Sequence, residues 1–120
     1  MPPTFGNGKI CYIEIPALDI EQSAIFYEKV FGWSLRRRDD GSISFDDGVG
    51  EVSGTWITGR QPATEPGFVI SIMVDNAVAT IDALKAAGAE IVKPLPEKGE
   101  KAAWFRDPAG NVAGIYQHGG

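Results

Sequence analysis

The sequence predicts an α+β protein made of two successive β-α-β-β-β modules, and three observations carry that prediction. The chain repeats itself: "EIPALDIEQSAIFYEKVFGWSL" and "SIMVDNAVATIDALKAAGAEIV" share the order strand, Asp, helix, Gly, strand, with Asp19 13 positions before Gly32 and Asp75 13 before Gly88. Between those markers the apolar residues keep the helix period. Ile20, Ala24, Tyr27 and Phe31 step by 4, 3 and 4, and Ala77, Ile81 and Leu84 repeat the step. The module ends also match at an offset of 60, "FDDGVGEVSGTWI" on "FRDPAGNVAGIYQ", which aligns Phe45 with Phe105, Gly54 with Gly114 and Trp56 with Tyr116.

The elements follow in order. Residues 1–8 read as a tail, because "MPPTFGNGK" lacks the basic and apolar regions of a signal peptide. The first module spans 9–60. Its opening strand, 9–15, carries Cys11 among apolar neighbours, so the thiol is expected as a reduced core residue. Asp19 supplies an N-cap for a helix over 20–31, with Gln22 in the position of a capping-box partner, and Gly32 supplies the left-handed end. Trp33 is expected between helix and sheet. Strands at 34–38 and 42–45 flank "RRRDDG", read as a solvated strand end and turn, and a strand at 52–58 closes the module. A linker, 61–67, ends in "EPG". The second module, 68–118, repeats the plan with strands at 68–74, 90–93, 102–106 and 112–117 and a helix over 76–87 capped by Asp75. "DPAGN" is a hairpin turn, so Asp107 is read as scaffold. Each module alone is too small to bury much core, so one domain over 9–118 is expected.

Composition narrows the function classes. With 120 residues, a net charge of −5 and no basic stripe beyond Arg36 to Arg38, the chain does not read as a nucleic-acid binder. No apolar run reaches 18 residues, so no membrane association is expected, and the default location is cytoplasmic. Cys11 is the only cysteine, which excludes an internal disulfide. The sequence shows no glycine-rich phosphate loop and no Cys–His nucleophile pair.

The paired modules, the run "FYEKVFGW" on the first helix and "DPAGN" before the last strand resemble the vicinal oxygen chelate superfamily, which includes glyoxalase I, bleomycin resistance proteins and extradiol dioxygenases. The resemblance covers about Lys9 to Gln117. It implies the glyoxalase/bleomycin resistance/dioxygenase fold, a cupped mixed sheet around a cavity often completed in a homodimer. It also implies one divalent metal held by His, Gln or Glu from four strands. Carried onto this sequence, the first ligand position is Tyr12, the third Val69 and the fourth Gly114, and the internal repeat assigns the second to Gly54. A phenol, an isopropyl group and two glycines do not make a divalent-metal site, so neither metal nor cofactor is expected. Glyoxalase I activity is disfavoured accordingly, since in the relatives it relies on a metal. His118, the only histidine, reads as an exposed tail residue.

Strand alternation then proposes the cavity lining. If Tyr12 faces inward, so do Ile10 and Glu14, while Cys11, Ile13 and Ile15 pack under the helices. The same alternation turns Val52, Gly54 and Trp56 inward, together with Val69, Ser71, Met73, Val112, Gly114 and Tyr116. The expected ligand-binding set is Tyr12, Glu14, Gly54, Trp56, Val69, Ser71, Gly114 and Tyr116. The paired glycines either leave a cavity floor or permit strand curvature. Glu14 is open to several readings: a general base with Tyr12 as hydrogen-bond donor or acid, a seat for a cationic ligand aided by Trp56 and Tyr116, a residue at the wet rim of the cup, or the partner of an arginine across a dimer interface. The expected function is metal-free binding of a small organic molecule. The alternatives are a metal-independent isomerase, epimerase or lyase using Glu14 and Tyr12, and a partner-binding module whose cup is filled by its own side chains.

Overall fold

The computed structural model describes residues 2–118, and the chain divides after Gln61 into two compact units. The first contains β1 (Tyr12–Pro16), α1 (Ile20–Phe31), β2 (Ser34–Arg37), β3 (Ile43–Asp46) and β4 (Ser53–Ile57). The second contains β5 (Ser71–Met73), α2 (Ala77–Ala86), β6 (Glu90–Lys93), β7 (Lys101–Arg106) and β8 (Val112–Gln117). Each unit is therefore β-α-β-β-β, as the repeat predicts. Each forms a four-stranded mixed sheet, in the order β1-β4-β3-β2 and β5-β8-β7-β6, with the outer β1–β4 and β5–β8 pairs parallel.

The helix ends show why the chain folds locally as it does. The Asp19 carboxylate accepts the Gln22 N–H at 3.1 Å, and Gly32, at φ 71°, takes the left-handed conformation that costs other residues most. In α2 the cap is Asn76, whose side-chain oxygen accepts the Ala79 N–H at 3.0 Å; the expected cap, Asp75, lies one residue before it. A second tie, from the Ala77 N–H to Gln117 Oε1 at 2.7 Å, fastens the start of α2 to the end of β8. Gly88, at φ 87°, follows the helix as predicted.

In the first unit α1 packs on β2, β3 and β4. Ala24, Phe26 and Tyr27 are buried on the helix. Trp33 stacks between Tyr27, at 4.6 Å between ring centroids, and Phe45, at 4.4 Å, which fulfils the expectation for Trp33. Arg37 lies on the helix side and pairs with Glu21 at 2.6 Å, so part of the basic run is tied to α1. Glu21 raises the Arg37 pKa through that hydrogen bond. In the second unit α2 packs on β6, β7 and β8, burying its own Leu84 and, on the sheet, Ala103, Phe105 and Ile115. Cys11 departs from expectation: β1 begins only at Tyr12, and the thiol is exposed rather than in the core. Among the described residues no helix is long and apolar enough to cross a membrane.

Candidate functional site

Paired residues on neighbouring strands share a sheet face, so the registers decide which side chains stand together. In the first unit Ile13 pairs with Gly54 and Ile15 with Trp56, and Gly54 in turn pairs with Phe45. This is the face under α1. Trp56 is 2% exposed and its ring centroid lies 4.8 Å from that of Phe45 and 5.8 Å from that of Tyr27. Gly54 is likewise closed in: a Cβ there would fall inside the van der Waals radii of the Ile13 carbonyl oxygen and the Phe45 ring. The expectation that Gly54 and Trp56 share a face with Tyr12 is thus corrected. They belong to the aromatic core.

The opposite face of that sheet carries Tyr12 and Glu14 as expected, but beside Ser53 and Thr55, then Ser44, Asp46 and Arg36. It is a polar surface knitted by its own partners. Arg36 pairs with Asp46, whose other oxygen accepts the Ser53 hydroxyl at 2.7 Å, and Arg38 donates to the buried Ser44 hydroxyl. Glu14 Oε1 lies 2.7 Å from Arg60 Nη2, with the two side chains 42% and 53% exposed. The arginine expected for Glu14 was one across a dimer interface; the one found belongs to the same unit. At that exposure the Glu14 carboxylate meets solvent, and its charge is matched by Arg60.

The reason for the misplaced Gly54 and Trp56 is a loop one residue longer than its counterpart. The β3–β4 hairpin is flanked by the pair Asp46–Ser53, the β7–β8 hairpin by Arg106–Val112. Both turns fold on an Asp: the Asp47 N–H reaches the Val52 carbonyl at 2.8 Å, and the Asp107 N–H reaches that of Asn111, one residue nearer, at 2.9 Å. A one-residue difference turns a strand over. By position in the sheet Thr55, not Gly54, corresponds to Gly114, and Trp56 corresponds to Ile115, which is also buried.

In the second unit the expected set holds together. Ser71 pairs with Gly114 and Met73 with Tyr116, so all four share the face away from α2. Val69 precedes β5 and is half-buried, in phase with Ser71 but outside the strand. Gly114 pairs across to Trp104, which sequence reasoning did not place in the site. A Cβ on Gly114 would meet Ser71 Oγ at 3.0 Å and Trp104 Cδ1 at 3.2 Å. The indole therefore lies across the glycine, a large flat side chain beside an absent one. Trp104 and Tyr116 are half-buried and Met73 is 72% exposed, so this face keeps apolar area in reach of a ligand. Lys93, also unforeseen, stands over the indole with Nζ 5.3 Å from the ring centroid. The signal for Trp104 was available in the length of the "DPAGN" turn, which sets it opposite Gly114.

That turn is scaffold, as expected. Asp107, 5% exposed, accepts the Ala109 and Asn111 N–H groups at 3.0 Å each and the Asn111 side-chain amide at 2.9 Å. Asn111 Oδ1 accepts the Ala63 N–H at 2.7 Å, so the segment entering the second unit is fastened to the hairpin.

The metal positions implied by the resemblance do not fit a divalent cation. Tyr12 is a lone phenol, Val69 and Gly114 offer no donor, and the space beyond Gly54 is taken by Phe45 and a carbonyl on the helix side. Thr55, which the register puts in place of Gly54, spends its hydroxyl on the Ile43 carbonyl at 2.7 Å. Among the described residues no group of three or more His, Cys, Asp or Glu side chains gathers where it would hold a metal.

Comparison with known proteins agrees with this architecture. The family model of the Glyoxalase/Bleomycin resistance protein/Dioxygenase superfamily matches residues 9–115. A glyoxylase-like domain-containing protein of Didymella fabae is 28% identical over 126 residues, covering 91% of this chain and 93% of its own. A probable lactoylglutathione lyase of Vibrio cholerae is 28% identical over 127 residues, covering 93% and 92%. Among solved structures, TnmS3, an antibiotic binding protein from Streptomyces sp. CB03234, superposes with a TM-score of 0.69 at 22% identity over 95% of this chain and 98% of its own.

Proposed function

We propose that this chain, which belongs to the Glyoxalase/Bleomycin resistance protein/Dioxygenase superfamily, binds a small organic molecule without a metal, on the face of the second sheet that carries Trp104, Gly114 and Tyr116. The carrying observation is the Trp104 edge lying against Gly114, on a sheet face that Ser71, Met73 and Tyr116 share. Aromatic and apolar surface with a few placed polar groups is the usual make-up of a small-molecule site. An antibiotic binding protein with the same fold is consistent with that use but does not name the ligand, since fold does not carry function. Within the expected set, Ser71, Gly114 and Tyr116 belong to the proposed site, with Val69 at its margin. Tyr12 and Glu14 stand on the polar face of the first sheet.

The enzymatic alternative, a metal-independent isomerase, epimerase or lyase using Glu14 and Tyr12, is the lesser reading because Arg60 already engages the Glu14 carboxylate. Lactoylglutathione lyase chemistry is less favoured still, for want of ligands to the metal it relies on in this superfamily. A homodimer in the cytoplasm remains the expected setting.

The test is an NMR titration of the full chain with a panel of small planar aromatic compounds, read at the indole N–H of each tryptophan. Saturable shifts at Trp104, with Trp33 and Trp56 unmoved, are expected, and Trp104→Ala should remove binding. A panel that leaves Trp104 unmoved throughout contradicts the assignment.

A further inference from the structure

One cross-strand row of the second sheet runs Ser71, Gly114, Trp104, Lys93. It places a hydroxyl, a glycine, a flat ring and a cation side by side, on strands about 4.8 Å apart. The other cation of this face, Arg106, is engaged: Nε lies 3.5 Å from Glu90, and Nη1 donates to the Thr64 and Gly110 carbonyls. Among the described residues Lys93 has no carboxylate partner and rests on the indole alone. An exposed cation–π contact is weaker than a charge-assisted hydrogen bond, so the ammonium gains by exchanging the ring for an anion.

We infer that the Trp104–Lys93 pair selects planar aromatic ligands that carry a carboxylate directly on the ring. The ring stacks on the indole face that Lys93 now covers, and the carboxylate, one strand spacing away, takes the Lys93 ammonium. Lys93 thereby vacates the ring face that the ligand covers, so one movement of a flexible side chain opens the stacking surface and supplies the counter-charge. Ser71 Oγ, on the far side of Gly114, offers a hydroxyl to a polar group at the other end of the ligand. The inference rests on the binding reading above and adds the ligand's charge to it.

The experiment compares 2-naphthoate with 2-naphthamide, alike in shape and unlike in charge, by titration of the wild-type full chain and of Lys93→Met and Lys93→Arg. The naphthoate should bind about tenfold more tightly than the amide, the ratio expected for one charge-assisted hydrogen bond at an open site. Lys93→Met should bring that ratio close to one, and Lys93→Arg should keep the preference. Equal affinities in the wild type, or a preference that survives Lys93→Met, overturn the inference and leave the binding reading standing. If neither compound shifts the Trp104 resonance, the binding reading fails and the inference with it.

Discussion

A missing side chain does opposite work at Gly54 and Gly114. At Gly54 the space is filled from the core by the Phe45 ring and the Ile13 carbonyl, one of which is backbone and has nowhere to go. At Gly114 the two closest neighbours are side chains, the Ser71 hydroxyl and the edge of Trp104, and the Ala103 carbonyl oxygen stands at 3.4 Å, an ordinary contact distance. Gly54→Ala should therefore destabilise the protein by about 3 kcal/mol or more, the upper range for overpacking, and Gly114→Ala by about 1 kcal/mol. Urea denaturation of the two variants checks this; similar losses would show that the glycines are equivalent after all. Gly114→Ala should still weaken ligand binding, because it lifts the indole from its seat. At this scale the strand alternation of β1 was legible, with Tyr12 and Glu14 on one face and Ile13 and Ile15 on the other. The faces of Gly54 and Trp56 were not. They depend on the length of the adjoining β3–β4 loop, and that parity leaves no mark in the strand itself.

Turns decide more of this fold than their length suggests. The Asp107 carboxylate gathers three donors inside the β7–β8 turn, and through Asn111 the turn holds Ala63. Asp107→Ala strands those donors in a buried place, where each unsatisfied group costs about 1–3 kcal/mol. A loss of about 3 kcal/mol is expected with no ligand contact removed, read as a fall in Tm with binding affinity preserved below the transition. A variant as stable as wild type would contradict the structural role. Elements of this kind were the most legible part of the chain, because helix period, caps and turn residues act within a few positions. The errors are local too. Asn76 rather than Asp75 caps α2, since both side chains accept hydrogen bonds and only the backbone path selects which reaches the Ala79 N–H. β1 starts at Tyr12, so Ile10 and Cys11, apolar in sequence, stay exposed outside the sheet.

The two units share one topology and present different chemistry. The sheet face away from α1 is polar and satisfied by its own ion pairs and hydroxyls; the face away from α2 is aromatic, with a cation that has no carboxylate partner among the described residues. The family was legible from the repeat and the turn motif, because those are what the fold requires. The ligand is less so, since a superfamily that reuses one scaffold changes the few residues that touch its small molecules. The donor set answers the metal question most directly: the implied positions hold a phenol, an isopropyl group and glycines. The measurement that bears hardest on the account is native mass spectrometry of the protein purified without chelator or added metal. A metal-free chain carrying a small organic adduct, lost in Trp104→Ala, is the expected result. A stoichiometric divalent cation bound to the natively folded chain would contradict it.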